Sequence, residues 1–592
     1  MNALLPSADA TIGFPIPEKD VDAYFPLVTP APQKQVFEIG LVLGGTVSAG
    51  AYTAGVIDFL IEALDAWSVA KSRQDANAPA HEVKIRILSG TSGGGVNAVL
   101  LARALGYAFR HPGPGVSQEV LTRNPLFEVW VNQLDIRGLL ETTDLERDYA
   151  IKALLCADVI ESASMAAGSY RGEALGTLGT PAVRSYVEQL LPVVVTLTNL
   201  RGIPYSSDFR GTTGRSEYYV DRADHMRFVV DITGQHPPEA DTLRPFEVGI
   251  SDKPAPFVQP WSTIVRAARG TSAFPVGLPP QTISRSIEHY RYRYLTIQTE
   301  KGLEAVWQRP AWNCMIPVGA DNATPYQFLV VDGGCINNEP IEYARQHLAG
   351  VLGHNVRGAR EAHRGIVLVD PFADKPDIGL LADAGIVNTA GATLSAMIGA
   401  GRYATADLDL FTDEDVYSRF LVNPIRTSPS GGVWTAGDAI AASGLAAFMG
   451  FMSRAFREHD FLLGRANCQS FLRKHFVLHR DNTLFDGWTA DQKRDFAGSD
   501  KQYLPIIPLM ASVSQPLPVP AWPHAAFHPE SIRGPLEARL MKITELTVSP
   551  VLTVKSHPVA WLIARALSGL ERKGVDEVIG MIRQSLEAAQ LL

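Results

Sequence analysis

Ile85-Arg86-Ile87-Leu88-Ser89-Gly90-Thr91-Ser92-Gly93-Gly94 is the stretch that decides the fold of this chain. An apolar run ends at Ser89, small residues turn the chain, and Val96, Val99 and Leu100 then recur at helical spacing. That pattern is a buried strand, a tight turn and a helix. The same pattern lies upstream. Ile39-Gly40-Leu41-Val42-Leu43 runs into Gly44-Gly45-Thr46-Val47-Ser48-Ala49-Gly50. Val56, Phe59, Leu60, Ala63 and Leu64 follow on one helix face, with Asp58, Glu62 and Asp65 on the other. Strands alternating with helices imply a mainly parallel sheet covered on both faces. The expected class is therefore α/β, a three-layer sandwich with helical insertions and a helical carboxy-terminal extension.

A third turn, Asp332-Gly333-Gly334, follows the apolar run Phe328-Leu329-Val330-Val331. All three turns sit where a strand should end, so they can meet along one edge of the sheet. Gly-x-Ser-x-Gly alone is weak: with 50 glycines in 592 residues, about one such chain in four carries it by chance. Its setting gives it weight. A strand before and a helix after put Ser92 on a strained bend, where side chains at positions 90 and 94 would clash. Ser92 is then the candidate nucleophile, with the amino-terminal end of the helix beside it. Backbone N–H groups of Gly44, Gly45, Thr46 and Gly93 are the candidate oxyanion donors. Asp332 is the candidate base, and Gly333 and Gly334 let the backbone pass close to the serine. A nucleotide-phosphate loop is disfavoured, because neither turn gives Gly-x-Gly-x-x-Gly and no Gly-Lys-Ser/Thr follows.

Composition bounds the rest. Hydrophobic residues make up 46% and charged residues 19%, which is globular. A formal charge of −9 argues against nucleic acid as a partner. Cys156, Cys314, Cys335 and Cys468 are scattered without CxxC spacing and read as free thiols. The pairs His475/His479 and His524/His528 have helical spacing but lack the Glu and third ligand of a zinc site, so neither metal nor cofactor is expected. No basic stretch followed by an apolar one opens the sequence, so a cytoplasmic location is expected, with peripheral contact at a membrane surface as the alternative. The uncharged run Ala439 to Met452 reads as a buried helix. Residues 1–35, rich in proline, read as an extended leader. Residues 36–375 read as the catalytic domain, with a helical insertion over 113–190 and a hairpin excursion over 205–257. Residues 376–592 read as a mainly helical extension with a proline-rich connector at 515–535.

The motifs also carry a resemblance. Leu41 to Val56, Gly90-Thr91-Ser92-Gly93-Gly94 and Asp332-Gly333-Gly334-Cys335-Ile336-Asn337-Asn338-Glu339-Pro340 are similar to the patatin-like phospholipase family, of the long bacterial type. Ser272-Ala273-Phe274-Pro275 with Leu278-Pro279-Pro280 resembles a further loop of that family. The resemblance implies a Ser-Asp dyad without a catalytic histidine, acting on acyl esters of lipids. The first loop departs from the family, which has a third glycine and then, two positions on, Lys or Arg; here Val47 and Ala49 stand there. Two other readings stay open. One is an α/β-hydrolase with a Ser-His-Asp triad, its histidine His354 or His363. The other is a catalytically weak scaffold that keeps the fold and binds lipid or protein. Oligomeric state is not legible.

Overall fold

The structure is a computed structural model describing residues 17–24, 32–171, 181–208, 216–300, 302–315, 325–372, 410–411, 413–428, 431–552 and 574–592. Twelve strands matter for the site: β1 (Val36–Leu43), β2 (Glu82–Gly90), β3 (Leu190–Asp208), β4 (Ser216–Asp231), β5 (Glu247–Ile250), β6 (Val258–Gln259), β7 (Gln281–Arg285), β8 (Arg293–Thr299), β9 (Gly302–Gln308), β10 (Tyr326–Val331), β11 (Arg364–Val369) and β12 (Arg419–Val422). All but the β8–β9 hairpin form one sheet in the order β12-β11-β1-β2-β3-β4-β5-β6, with β10 and β7 branching from β3. From β12 to β3 every pairing is parallel. All eight residues of β1 are buried, as a central parallel strand covered on both faces requires.

Two apolar cores flank this sheet. The larger gathers the helices Gly50–Ser72, Ser92–Ala104 and Trp261–Thr271 on one face. The smaller seats Ile341, Ala344 and Leu348 of the helix Ile341–Ala349 on Val42, Ile87, Val194, Ile366 and Leu368. The result is a three-layer α/β sandwich.

The strand ends explain why distant motifs meet. β3 runs beyond the end of β2: Gly90 pairs with Val195, while Thr198 and Asn199 pair with Val331 and Val330 of β10. Because β10 is antiparallel to β3, its end points back at the end of β2. Asp332 and Ser92 thus approach each other head-on.

Several segments depart from the sequence reading. The region read as a helical extension contributes a strand to the central sheet, since β12 pairs with β11. The helix Arg454–Lys474 lies across the helix Gly50–Ser72 at a crossing that only glycine permits. A Cβ at Gly464 would lie 2.2 Å from Tyr52 O, and one at Gly55 would lie 1.9 Å from Phe461 O. Asp58, on the face expected to be polar, is fully buried there. Its carboxylate pairs with Arg465, with His111 at 3.0 Å, and accepts from Asn124 Nδ2 at 2.6 Å. Burial raises the Asp58 carboxyl, and His111 and Arg465 outweigh that effect and hold it below its usual range. The run Ala439–Met452 is not one helix. It breaks into turns Gly444–Ala447 and Met449–Met452, with Leu445, Ala446 and Ala447 at positive φ. Within the leader, Glu18–Tyr24 is helical, and Tyr24 packs edge-on against Tyr292 at 5.0 Å. The hairpin over 205–257 is no excursion: β4 and β5 are strands of the main sheet.

Candidate active site

The bend at Ser92 is tight and held from all sides. Thr91 is extended, and Ser92 opens the next helix at φ +51°, a left-handed conformation that costs a non-glycine residue about 1–3 kcal/mol. Its N–H donates to Thr271 Oγ1 at 2.8 Å. The Thr91 hydroxyl donates to Asn337 O at 2.9 Å and shares a 2.6 Å hydrogen bond with Thr196 Oγ1. Ser89 Oγ donates to Pro340 O at 2.9 Å. Glycine is required on both sides: a Cβ on Gly90 would lie 2.5 Å from Gly94 O, and one on Gly94 would lie 2.2 Å from Leu43 O.

Ser92 Oγ donates to Asp332 Oδ2 at 2.6 Å. The other carboxylate oxygen, Oδ1, accepts the Gly334 N–H at 2.8 Å. The Asp332 backbone is fixed by its N–H to Ala273 O at 2.9 Å and by Thr198 Oγ1, which donates to its carbonyl at 2.7 Å. Burial pushes the Asp332 carboxyl up to about 6, against hydrogen bonds from Ser92 and Gly334 that pull it down. A buried carboxylate of near-neutral proton affinity, touching a serine hydroxyl, can act as its general base.

The first glycine loop is built differently from the sequence reading. Gly44 N–H donates to Val369 O at 3.0 Å and Gly45 N–H to Asn338 O at 3.1 Å, so neither is free for an oxyanion. Among the described residues, the N–H groups of Thr46 and Gly93 have no acceptor, Gly93 because the first turn of a helix leaves its donors unpaired. These two remain as donors. Gly45 does steric work instead: a Cβ there would lie 3.4 Å from Ser92 Cβ and 2.0 Å from Asn338 Oδ1.

A cavity of about 90 Å³ opens at the dyad, and its walls are apolar: Val96, Leu100, Trp130, Leu134, Val265 and Phe448 are among them. Arg103 also reaches it, paired with Asp252 at 2.7 Å and laid over the Trp261 ring at 4.6 Å. Among the described residues, no histidine lines it. His363 lies beside Val36, at the opposite end of β1 from Gly44, and bonds to Thr483 Oγ1. Eight residues of strand, about 25 Å, separate the two ends. His354 follows the carboxy-terminal end of the helix Ile341–Ala349, amid arginines that, after burial, depress its imidazole.

Residues 41–345 match the Patatin-like phospholipase family. The chain is also 32% identical over 563 residues to the uncharacterized protein y4iI of Sinorhizobium fredii (strain NBRC 101917 / NGR234), covering 88% of this chain and 77% of that one. It belongs to the patatin-like phospholipase family. Among solved structures, VipD from Legionella pneumophila covers 95% of this chain and 89% of its own at 12% identity, with a TM-score of 0.20. That similarity is too low to bear on the fold.

Val47, which stands where the family pattern has a glycine, has φ +46°, in the left-handed region that favours glycine. Two contributors to this patatin-like site escaped the sequence reading, and a third was read only as a signature. Thr271 anchors the Ser92 amide. The Asn337-Asn338 turn binds both the serine bend and the first loop, which gives that motif a physical role. Ser48 donates to Ala447 O and accepts the Gly450 N–H at 3.0 Å, so the late segment clasps the first loop. Only the Asn-Asn-x-Pro signature left a trace in the sequence; the other two depend on contacts across the fold.

Proposed function

We propose that this patatin-like chain is a serine acyl hydrolase that cleaves lipid acyl esters with a Ser92–Asp332 dyad. The observation that carries the proposal is the 2.6 Å hydrogen bond from Ser92 Oγ to a buried carboxylate whose proton affinity is raised to about 6. Asp332 Oδ2 accepts the serine proton as Oγ attacks the ester carbonyl. The developing oxyanion faces the N–H groups of Thr46 and Gly93, each such donor contributing about 3 kcal/mol in the transition state. The protonated Asp332 then returns its proton to the leaving alcohol, and the acyl group stays on Ser92. Water, deprotonated by the same carboxylate, attacks the acyl-enzyme and releases the fatty acid. The apolar wall beside the dyad suits an acyl chain, since burying each methylene is worth about 0.8 kcal/mol.

The test is a panel of p-nitrophenyl esters and phospholipids, with fluorophosphonate labelling, on wild type and Ser92→Ala. Turnover and labelling of the wild type, both absent from the variant, support the dyad. Labelling that persists in Ser92→Ala would place the nucleophile elsewhere.

A further inference from the structure

The opposite face of the sheet holds a second cavity, of about 740 Å³, with different walls. It opens between β3, β4 and the helix Ile341–Ala349, and Tyr205, Tyr290, Tyr292, Tyr294 and Tyr343 line it. Three arginines also reach it: Arg227, Arg285 and Arg293. Two of these are balanced. Arg285 Nη1 binds Asp224 Oδ1 at 2.8 Å, and Arg293 pairs with Asp221.

Arg227 is not balanced. Its Nε donates to His225 Nε2 at 3.2 Å and its Nη2 to Gln346 Oε1 at 3.4 Å, both neutral groups. Its guanidinium lies between the rings of Phe246 and Tyr343, at 5.1 and 5.4 Å. Among the described residues, no carboxylate lies within ion-pair reach of it and Nη1 has no partner. Glu247, its neighbour across β4 and β5, acts on Arg227 through space without touching it and accepts the Arg244 N–H, and Glu342 on the cavity wall binds Arg345 at 2.7 Å. A guanidinium fixed between two rings, with an open edge facing a cavity, is a ready-made anchor for a planar or tetrahedral oxyanion.

The local field agrees with this geometry. His225 is held well below its usual range by burial and then by Arg227, Arg285 and Arg293. His289 is pushed down to about 3 by burial and Arg285. Beside them His347 is also pushed down to about 3, by burial and by a set of arginines that includes Arg227. Asp224 and Asp221 offset Arg285 and Arg293, which leaves Arg227 as the cavity arginine with no carboxylate in ion-pair contact among the described residues.

We propose that this cavity is a second ligand site that takes a small ring-bearing oxyanion, its phosphate or carboxylate head on Arg227 and its ring among the tyrosines. The proposal does not depend on the reading of Ser92. A charge-assisted fork on the head gives affinity, and the aromatic walls discriminate ring-bearing anions from bare ones.

The experiment is calorimetric titration of the full chain, carrying Ser92→Ala so that no ester is turned over, with phenyl phosphate, benzoate and inorganic phosphate. One equivalent of phenyl phosphate or benzoate should bind, and whichever is tighter identifies the head group. Inorganic phosphate should bind at least about tenfold more weakly, for want of a ring. Arg227→Gln should weaken binding by about tenfold or more. Gln346→Glu, which sets a carboxylate against the same guanidinium and keeps the residue's shape, should do the same if Arg227→Gln proves unstable. Val96→Phe, in the other cavity, should leave binding unchanged. No binding of either aromatic anion at millimolar concentration would overturn the proposal. So would equal affinity for inorganic phosphate, unchanged affinity in folded Arg227 or Gln346 variants, or loss of binding in Val96→Phe.

Discussion

Replacing Asp332 by Asn alters one atom of a side chain that is only 5% exposed, and it should gain relative stability with rising pH while losing turnover. Oδ1 still accepts the Gly334 N–H, but an amide nitrogen now faces Ser92 Oγ in place of the acceptor Oδ2. The carboxyl is raised from 3.8 to about 6, so the ionised form is disfavoured in the fold relative to the unfolded chain. At about 1.4 kcal/mol per pKa unit, ionised Asp332 costs the fold about 3 kcal/mol above pH 7. That cost shrinks as pH falls through 6 and vanishes below 3.8, where both states are protonated. Asn has no such dependence, and its own burial cost is the same at every pH. The stability of Asp332→Asn relative to wild type should therefore rise by about 2 kcal/mol between pH 4 and pH 8, measured by urea unfolding at each. At pH 8, where wild-type Asp332 is ionised, kcat should be about 10²–10⁴-fold below wild type, the usual loss of a general base. A relative stability that does not change with pH, or turnover within about tenfold of wild type, would refute the assignment of Asp332 as a desolvated base.

In the proposed mechanism Asp332 acts unprotonated, so kcat/KM for an ester should rise with unit slope up to about pH 6 and level off above it. A profile still flat well below that point would mean a different base. Gly464→Ala would ordinarily stabilise a helix by about 1 kcal/mol, but here the new Cβ lands 2.2 Å from Tyr52 O and forces two core helices apart. It should destabilise by about 1–3 kcal/mol in urea unfolding, and a gain in stability would show that the crossing can relax. Val47→Gly removes a left-handed valine that costs about 1–2 kcal/mol, so the melting temperature should hold or rise; a fall of several degrees would show that the packing of its half-buried side chain outweighs the strain.

What could be read in the sequence was local. The strand, bend and helix around Ser92 and the turn at Asp332 are each set by residues close by in the sequence, and apolar runs mark where the strands end. The donors of the first loop were not readable, because what decides them is the partner of each N–H. Gly44 and Gly45 are taken by Val369 and Asn338, residues about three hundred positions away. Asp58 reads as polar surface until Arg465 and His111 are placed beside it. β12 is only four residues long and carries an arginine at its start, too weak a strand signal against the helices around it. The backbone of Leu445 to Ala447 turns left-handed against its own residue types, held in a segment that Ser48 grips.

The crossing of Gly55 and Gly464 has a consequence for synthesis. The stretch Val47–Ser72 is apolar enough to cross a membrane, yet 89% of its most apolar window is buried inside the finished protein. Its cover is made late: Arg465 lies 407 positions after Asp58, to which it pairs. At the usual pace of a ribosome, about 5–20 residues per second, that helix waits roughly 20–80 s for its cover. The clasp of Ala447 and Gly450 on Ser48 is just as late. A nascent chain can thus hold both Ser92 and Asp332 while its first glycine loop is still unsupported. The clasp can form only once residues 447–465 have emerged, and until then the exposed apolar helix is a natural client for chaperones.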